Sequence, residues 1–249
     1  MTQPAIDGSR LNRTLQELGK FGDSPLGMQR VAFSPEDIAG RQYVMSLMGQ
    51  AGLEVRIDEG GNIIGRLPGS VPGLRAIGLG SHTDTVPSGG KYDGALGVMA
   101  ALECAQTLTD NHQTLRHPVE VMVFTNEEGT GFHRWLLGSR AMSGLLLPED
   151  LAAVDDIGVT LASRMSDIGG NLSRADEANR GAGALAAFFE LHIEQGPNLY
   201  QIGTPIGVVN GITGRALFEV EIDGTANHAG TTPMSGRHDA LVSAANLVL

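Results

Sequence analysis

The first third of the chain alternates between segments with helical periodicity and segments with strand periodicity. Residues 11–19 place their leucines on one helix face, and Ser34 followed by Pro35 and two acidic residues predicts the start of a second helix. Residues 53–58 and 63–67 alternate as strands on either side of a Gly-Gly turn. This pair predicts a β-hairpin.

Three apolar runs predict the central strands of a sheet. They cover residues 75–80, 119–125 and 186–193, and helical patterns at 95–108 and 138–142 lie between them. Strands that alternate with helices are typical of α/β proteins. The sequence therefore predicts an α/β fold with a mixed, largely parallel sheet flanked by helices.

The last part of the chain indicates a second unit. The glycine-rich segment 203–214 is followed by a strand-like alternation at 216–222, so we place a domain boundary near 211–214. We expect a large domain in residues 1–212 and the start of a small α+β domain in 213–249. A helical pattern at 238–249 stops on apolar residues, which leads us to expect a fragment.

Composition limits the classes of partner. The chain has 28 acidic and 17 basic residues and a net charge of −11, which argues against nucleic acid or an anionic membrane as a partner. No apolar run reaches the roughly 18 residues of a membrane-spanning helix, and the first residues lack the pattern of a secretory signal. The single cysteine, Cys104, cannot form an internal disulfide, so we expect a cytoplasmic protein.

Polar side chains follow each of the three central strands. His82 follows the first strand, Glu127 and Glu128 the second, and His192 the third, while Asp93 precedes the helix at 95. Ligands of open α/β sheets bind at the carboxyl ends of strands, so these groups should converge. Two histidines and three carboxylates are a ligand set for a two-metal site of the zinc or manganese type.

The spacing suggests how these groups divide the work. Asp84 lies two residues after His82 in an extended segment, so its carboxylate can accept the other ring N–H of that histidine. Adjacent residues such as Glu127 and Glu128 point to different sides of a strand, so one can bind metal while the other acts as a base. Asp93 stands at a glycine-flanked turn and is a natural bridging carboxylate. Each group alone also fits a structural role; their coincidence at strand ends and a helix start favours the metal site.

Five segments resemble a known family. They are similar to those of the hydantoinase/carbamoylase branch of the metal-dependent aminoacylase/carboxypeptidase superfamily, which includes N-carbamoyl-L-amino acid hydrolases, bacterial β-ureidopropionases and allantoate amidohydrolases. The segments are GSHTDTVPSGGKYDGALGVMAALE, VEVMVFTNEEG, GSRAMSG, ELHIEQGP and GTANHAGTTPMSGRHDA. The resemblance implies a di-metal amidohydrolase/peptidase catalytic domain, the start of a dimerisation/lid domain, and hydrolysis of linear amide C–N bonds in small carbamoyl or ureido compounds.

The resemblance also implies a role for each matching ligand position. His82 and His192 correspond to ligands of one metal ion, Asp93 to the bridging ligand, and Glu128 to a ligand of the second ion. Glu127 corresponds to the general base. The implied cofactors are two divalent ions per subunit, zinc or manganese.

Three further positions take roles from the resemblance. Asp84 matches the residue that orients the ligand histidine, and Gln195 matches a substrate contact. His228 matches a lid-domain histidine that stabilises the oxyanion in the partner subunit's active site, which implies a homodimer.

The sequence departs from the family pattern in two respects. A fifth metal ligand, a histidine near the C-terminus, and the Arg and Asn substrate contacts of the lid's second half have no counterpart in residues 1–249, and Gly131 stands where relatives carry Arg. We therefore consider three hypotheses. The first is an N-carbamoyl-L-amino acid hydrolase, and the alternatives are an allantoate amidohydrolase or an inactive truncated fragment with the same fold. The intact ligands and base favour an enzyme over a binding or scaffold protein, and the segments NHAGTTPM and HIEQGP argue against a peptidase.

Overall fold

The computed structural model describes residues 4–214 and 216–249. Met1–Gln3 and Arg215, which belong to the predicted first and second domains, lie outside the described residues. The chain divides into two compact units, Met1–Gln195 and Gly196–Leu249. Among the described residues, no helix has both the length and the apolar character needed to cross a membrane.

The described residues form helices and strands in alternation. The helices are α1 Gly8–Leu18, α2 Pro35–Gln50, α3 Ala95–Asp110, α4 Leu137–Met142, α5 Pro148–Leu151, α6 Leu161–Asp167, α7 Asn198–Gln201 and α8 Ala240–Val248, with 3₁₀ turns at Leu172–Ala178 and Met234–Gly236. The strands are β1 Glu54–Ile57, β2 Ile63–Leu67, β3 Ala76–His82, β4 Val119–Phe124 and β5 Leu185–Phe189.

Side-chain caps set where the first two helices begin. The Ser34 hydroxyl accepts a hydrogen bond from the Asp37 N–H at 3.1 Å, with Pro35 in the first turn, which confirms the predicted start of α2. Helix α1 begins at Gly8, earlier than predicted, because the Asp7 carboxylate accepts the Arg10 N–H at 2.9 Å.

The strands form one sheet in the order β1-β2-β4-β3-β5. Strands β1 and β2 form the predicted hairpin and β2 pairs antiparallel with β4, while β3 is parallel to both β4 and β5. Only β2 therefore runs against the other described strands. The carboxyl ends of β3, β4 and β5 consequently meet at one edge, which confirms the mixed, largely parallel α/β sheet.

Alternating residues of β4 bury both faces of the sheet. Val121 and Val123 belong to the larger core, which packs against α1, α2 and α3. Met122 faces the other way, towards Ile64 and Met142 of α4. Fully burying each such side chain contributes about 1.5–3 kcal/mol, so the sheet is a firm support for the groups at its edge.

Two predicted strands differ from the structure. Strand β5 ends at Phe189, four residues before 193, because its ladder with β3 stops at Leu79 and the Ser81 hydroxyl instead donates to the Glu190 carboxylate. Residues 216–222 are irregular and mostly exposed. An alternating pattern becomes a strand only when a neighbouring strand satisfies its backbone, and the described residues supply none.

Candidate metal centre

Strand β3 delivers His82 to the carboxyl edge of the sheet. The side chain is 4% exposed, and its Nδ1–H donates to the backbone carbonyl of Asp84 at 2.9 Å. This bond leaves the Nε2 lone pair free to bind a ligand. Burial lowers the pKa of His82, but the carboxylates of Asp84 and Glu127 outweigh it and the net pKa is raised.

Asp93 reaches the same point from the turn before α3. Gly94, at φ +59°, packs so closely beneath His82 that a Cβ there would lie 2.4 Å from the imidazole ring. A glycine is therefore required for Asp93 to stand beside the histidine. The Asp93 Oδ1 lies 3.8 Å from the His82 Nε2.

His192 completes one group of ligand atoms. It follows β5, and its Nδ1–H donates to the Ile193 carbonyl at 2.9 Å, so its Nε2 is also free. That Nε2 lies 3.1 Å from the Asp93 Oδ1, and the two imidazole rings are 6.1 Å apart. His82, Asp93 and His192 each offer a ligand atom within 4.8 Å of the others.

Glu127 and Glu128 form a second group with His82. One oxygen of each carboxylate and a ring nitrogen of His82 lie within 4.8 Å of one another, and the Glu127 Oε2 is 3.7 Å from the Nε2. Burial raises the pKa of both glutamates, and attraction to the protonated form of His82 opposes the shift. The predicted divergence of the two side chains is wrong: Asn126 adopts φ +46°, so the chain is no longer extended and strand alternation does not apply.

Asp84 makes contacts other than the predicted one. Its Oδ1 is 3.8 Å from the His82 Nδ1, beyond hydrogen-bond distance, because the Asp84 backbone carbonyl already accepts that proton. The carboxylate instead accepts the backbone N–H groups of Glu127 at 3.3 Å and Glu128 at 3.2 Å.

The two predicted substrate-contact residues lie in different units. Gln195, at φ +56°, donates its side-chain N–H to the Asp93 Oδ2 at 2.8 Å. His228 is exposed in the second unit, and its Nδ1 accepts the N–H groups of Gly230 at 3.1 Å and Thr231 at 3.2 Å. Its Nε2 therefore carries the ring proton and is a hydrogen-bond donor.

Gly131 lies at φ +81°, and a Cβ there would meet no atom within 4 Å. The described residues thus leave room at this position. A side chain there would be strained by the backbone and not by crowding.

Sequence reasoning missed a buried charged layer behind the site. It consists of Arg30, Asp37 and Arg41, all at most 4% exposed. The signal was present in α2, where Asp37 and Arg41 share the face of buried Val44. Charged residues on the apolar face of a helix indicate that their charges are buried near one another.

A comparison with known families decides the relationship. The profile of peptidase family M20/M25/M40 matches residues 78–249. The chain belongs to this family. Membership confirms the superfamily resemblance carried by the five motifs.

Within the family, the chain is similar to amidohydrolases that act on carbamoyl compounds or allantoate, as their names state. A Geobacillus stearothermophilus N-carbamoyl-L-amino acid amidohydrolase is 43% identical over 244 residues, which are 98% of this chain and 60% of that protein. An Arabidopsis thaliana allantoate deiminase is 35% identical over 94% of this chain and 46% of its own length. The crystal structure of a hydantoinase/carbamoylase family amidase from Burkholderia ambifaria superposes with a TM-score of 0.80 at 37% identity, over 98% of this chain and 59% of that one. The chain thus spans about three-fifths of the length of the bacterial relatives.

Proposed function

We propose that the protein hydrolyses the linear amide C–N bond of carbamoyl or ureido compounds, with N-carbamoyl-L-amino acids as substrates. The observation that supports this proposal is that two histidines point their available Nε2 atoms at Asp93, beside a pair of glutamates. The likeness to N-carbamoyl-L-amino acid amidohydrolases supports this substrate class.

The donor set fits divalent metal ions. Imidazole nitrogens and carboxylate oxygens gathered within 4.8 Å suit zinc or manganese, and both histidines present an unprotonated nitrogen. His82, Asp93, Glu128 and His192 would hold two ions, with Asp93 shared. Bound ions would supply Lewis-acid activation of the scissile carbonyl and of the attacking water.

Glu127 then moves the proton. It accepts a proton from the water as the water oxygen bonds to the carbonyl carbon, and it passes that proton to the nitrogen as the C–N bond breaks. Gln195, held against Asp93, is placed to contact the substrate. The His228 Nε2–H of a partner subunit would donate to the developing oxyanion, which makes the working protein a homodimer.

The second candidate function is hydrolysis of allantoate. It is favoured by the likeness to an allantoate deiminase. Both activities release ammonia from a carbamoyl or ureido group and share the proposed site. We propose the cytoplasm as the compartment for either activity, in keeping with a single free cysteine, Cys104.

The test is an ammonia-release assay on protein expressed from its complete gene. N-carbamoyl-L-amino acids, their D-enantiomers and allantoate are compared after chelation and after reconstitution with zinc or manganese. We expect L-specific hydrolysis that is lost on chelation and restored by metal. Preference for allantoate selects the second candidate, and metal binding without turnover of any of these compounds contradicts both. Chain 1–249, assayed alongside, tests whether this segment alone is inactive.

A further inference from the structure

The main chain leaves the sheet just before Glu127 and Glu128, the residues proposed as the base and a metal ligand. Asn126 adopts φ +46°, so the two following N–H groups have no strand partner. Buried or half-buried backbone donors require an acceptor, and here the acceptor is one side chain. The two oxygens of Asp84 each accept one of these N–H groups, at 3.3 and 3.2 Å.

Asp84 is itself firmly held. Its side chain is 3% exposed, and Arg30 forms hydrogen bonds with the residues on both sides of it. The Arg30 Nε–H donates to the Thr83 carbonyl at 2.7 Å, and the Arg30 carbonyl accepts the Thr85 N–H at 2.9 Å. The Arg30 guanidinium also donates to the Leu18 carbonyl at 2.9 Å, which ties this segment to α1.

A second buried arginine, Arg41, binds the segment that follows β4, next to the residues whose N–H groups Asp84 accepts. Arg41 donates to the Thr125 hydroxyl at 3.3 Å and to the Gly61 carbonyl. Both Arg30 and Arg41 interact electrostatically with Asp84 and Asp37. Two buried arginines therefore lie close to Asp84 and Asp37 directly behind the site, and their hydrogen bonds to the flanking backbone and to Thr125 hold this region in one arrangement.

We propose that Asp84 is a positioning residue whose carboxylate fixes the Glu127–Glu128 turn, and so aims the base and a metal ligand together, instead of orienting the ring of His82. The His82 Nδ1–H is already bound by the Asp84 backbone carbonyl, which no side-chain substitution removes. This inference rests on the roles given to Glu127 and Glu128 under the proposed function.

The test is a double-mutant cycle on zinc affinity, measured on metal-free protein from the complete gene by competition with a chromophoric chelator. Asp84→Asn replaces one acceptor oxygen with an amide that opposes a backbone N–H. We expect it to weaken zinc binding about 10–100-fold, the usual effect of losing a group that orients a ligand. We expect most of that loss to vanish in a Glu128→Gln background, because the ligand that Asp84 aims is then already gone.

Two further variants separate positioning from stability. Asp84→Glu keeps the charge opposite both arginines but moves the oxygens by one methylene, so it should fold and still lose affinity. Thr85→Val is the matched control, because Thr85 is 1% exposed and its hydroxyl has no hydrogen-bond partner among the described residues. It should leave zinc affinity unchanged.

Each outcome decides a separate claim. A penalty of Asp84→Asn that is undiminished in the Glu128→Gln background overturns the inference and leaves the proposed function standing. Wild-type zinc affinity in folded Asp84→Glu and Asp84→Asn also overturns it. If Glu128→Gln alone leaves affinity unchanged, the ligand assignment of the proposed function fails first, and Asp84 has no ligand to aim.

Discussion

Asp37 is a buried carboxylic acid within electrostatic range of Arg30, Arg41 and Asp84. Burial raises its pKa to about 6, although Arg41 and the hydrogen bond from the Phe33 N–H oppose the shift. The folded chain therefore holds a proton on Asp37 that the unfolded chain loses near pH 4. A shift from 3.8 to about 6 corresponds to about 3 kcal/mol.

This shift predicts a pH-dependent loss of stability. Ionisation of Asp37 favours the unfolded state between the two pKa values, so its contribution to the free energy of unfolding should fall as pH rises from about 4 to about 6 and then level off. Urea unfolding of wild type and Asp37→Asn across this range isolates the contribution, because other groups cancel. As pH rises, the free energy of unfolding of wild type should fall relative to that of Asp37→Asn by up to about 3 kcal/mol. A difference that moves in the opposite direction would mean that the arginines dominate.

Glu127 offers a sharper chemical test. Glu127→Gln should remove the proposed proton transfer while keeping the shape of a side chain that is not assigned as a metal ligand, so kcat should fall about 10²–10⁴-fold. Zinc content, measured by atomic absorption, should stay at the wild-type level. Glu54→Gln makes the same change on exposed β1 and should have no effect. Lost metal would show that Glu127 is a ligand, and unchanged turnover would remove it as the base.

At the scale of elements, helix α2 connects fold stability to the site. The two glycines of α2 have different surroundings: Gly49, in the last turn, is exposed with no atom near a Cβ position, whereas a Cβ on Gly40 would lie 2.9 Å from the Arg30 Cδ. Arg30 is fully buried and holds the end of β3 through Thr83, so it cannot move aside cheaply.

The two alanine variants should therefore have opposite effects. Gly49→Ala should raise the free energy of unfolding by about 0.5–1 kcal/mol through helix propensity. Gly40→Ala also gains helix propensity but should lose about 1–3 kcal/mol to overpacking. Thermal and urea unfolding measure both. Equal effects of the two substitutions would show that Arg30 is freer than its hydrogen bonds indicate.

The elements that sequence predicts well are those with local signals. The Ser34-Pro35 start specified α2, and the Gly60-Gly61 turn specified the β1–β2 hairpin. The end of β5 and the state of 216–222 depend on what lies alongside, which periodicity does not report. The same distinction applies to the candidate site. The residues that follow the strands are predicted to converge because parallel strands end at one edge of the sheet. The left-handed turn at Asn126, and the hydrogen bond to Asp84 that depends on it, leave no sequence pattern.

At the scale of the whole molecule, the candidate centre depends on segments far apart in the chain. His82, Asp93, Glu127 and His192 come from three strand ends and one helix start, so they meet only when the first unit has folded. His228 belongs to the second unit, where the Gly230 and Thr231 N–H groups fix its tautomer with a proton on Nε2. In the proposed homodimer, this exposed Nε2–H donates to the oxyanion in the active site of the partner subunit.

Mixing two inactive variants tests that role. Glu127→Gln lacks the proposed base and His228→Ala lacks the proposed oxyanion donor, so each proposed homodimer should be inactive. After subunit exchange, a hybrid contains one site with the base of one chain and the donor of the other. About a quarter of wild-type activity should return, because half of the randomly exchanged dimers are hybrids and each has one intact site. Exchange is monitored separately by mass spectrometry of differently tagged chains. A fully exchanged mixture that stays as inactive as its parents would show that His228 acts within its own chain or not at all.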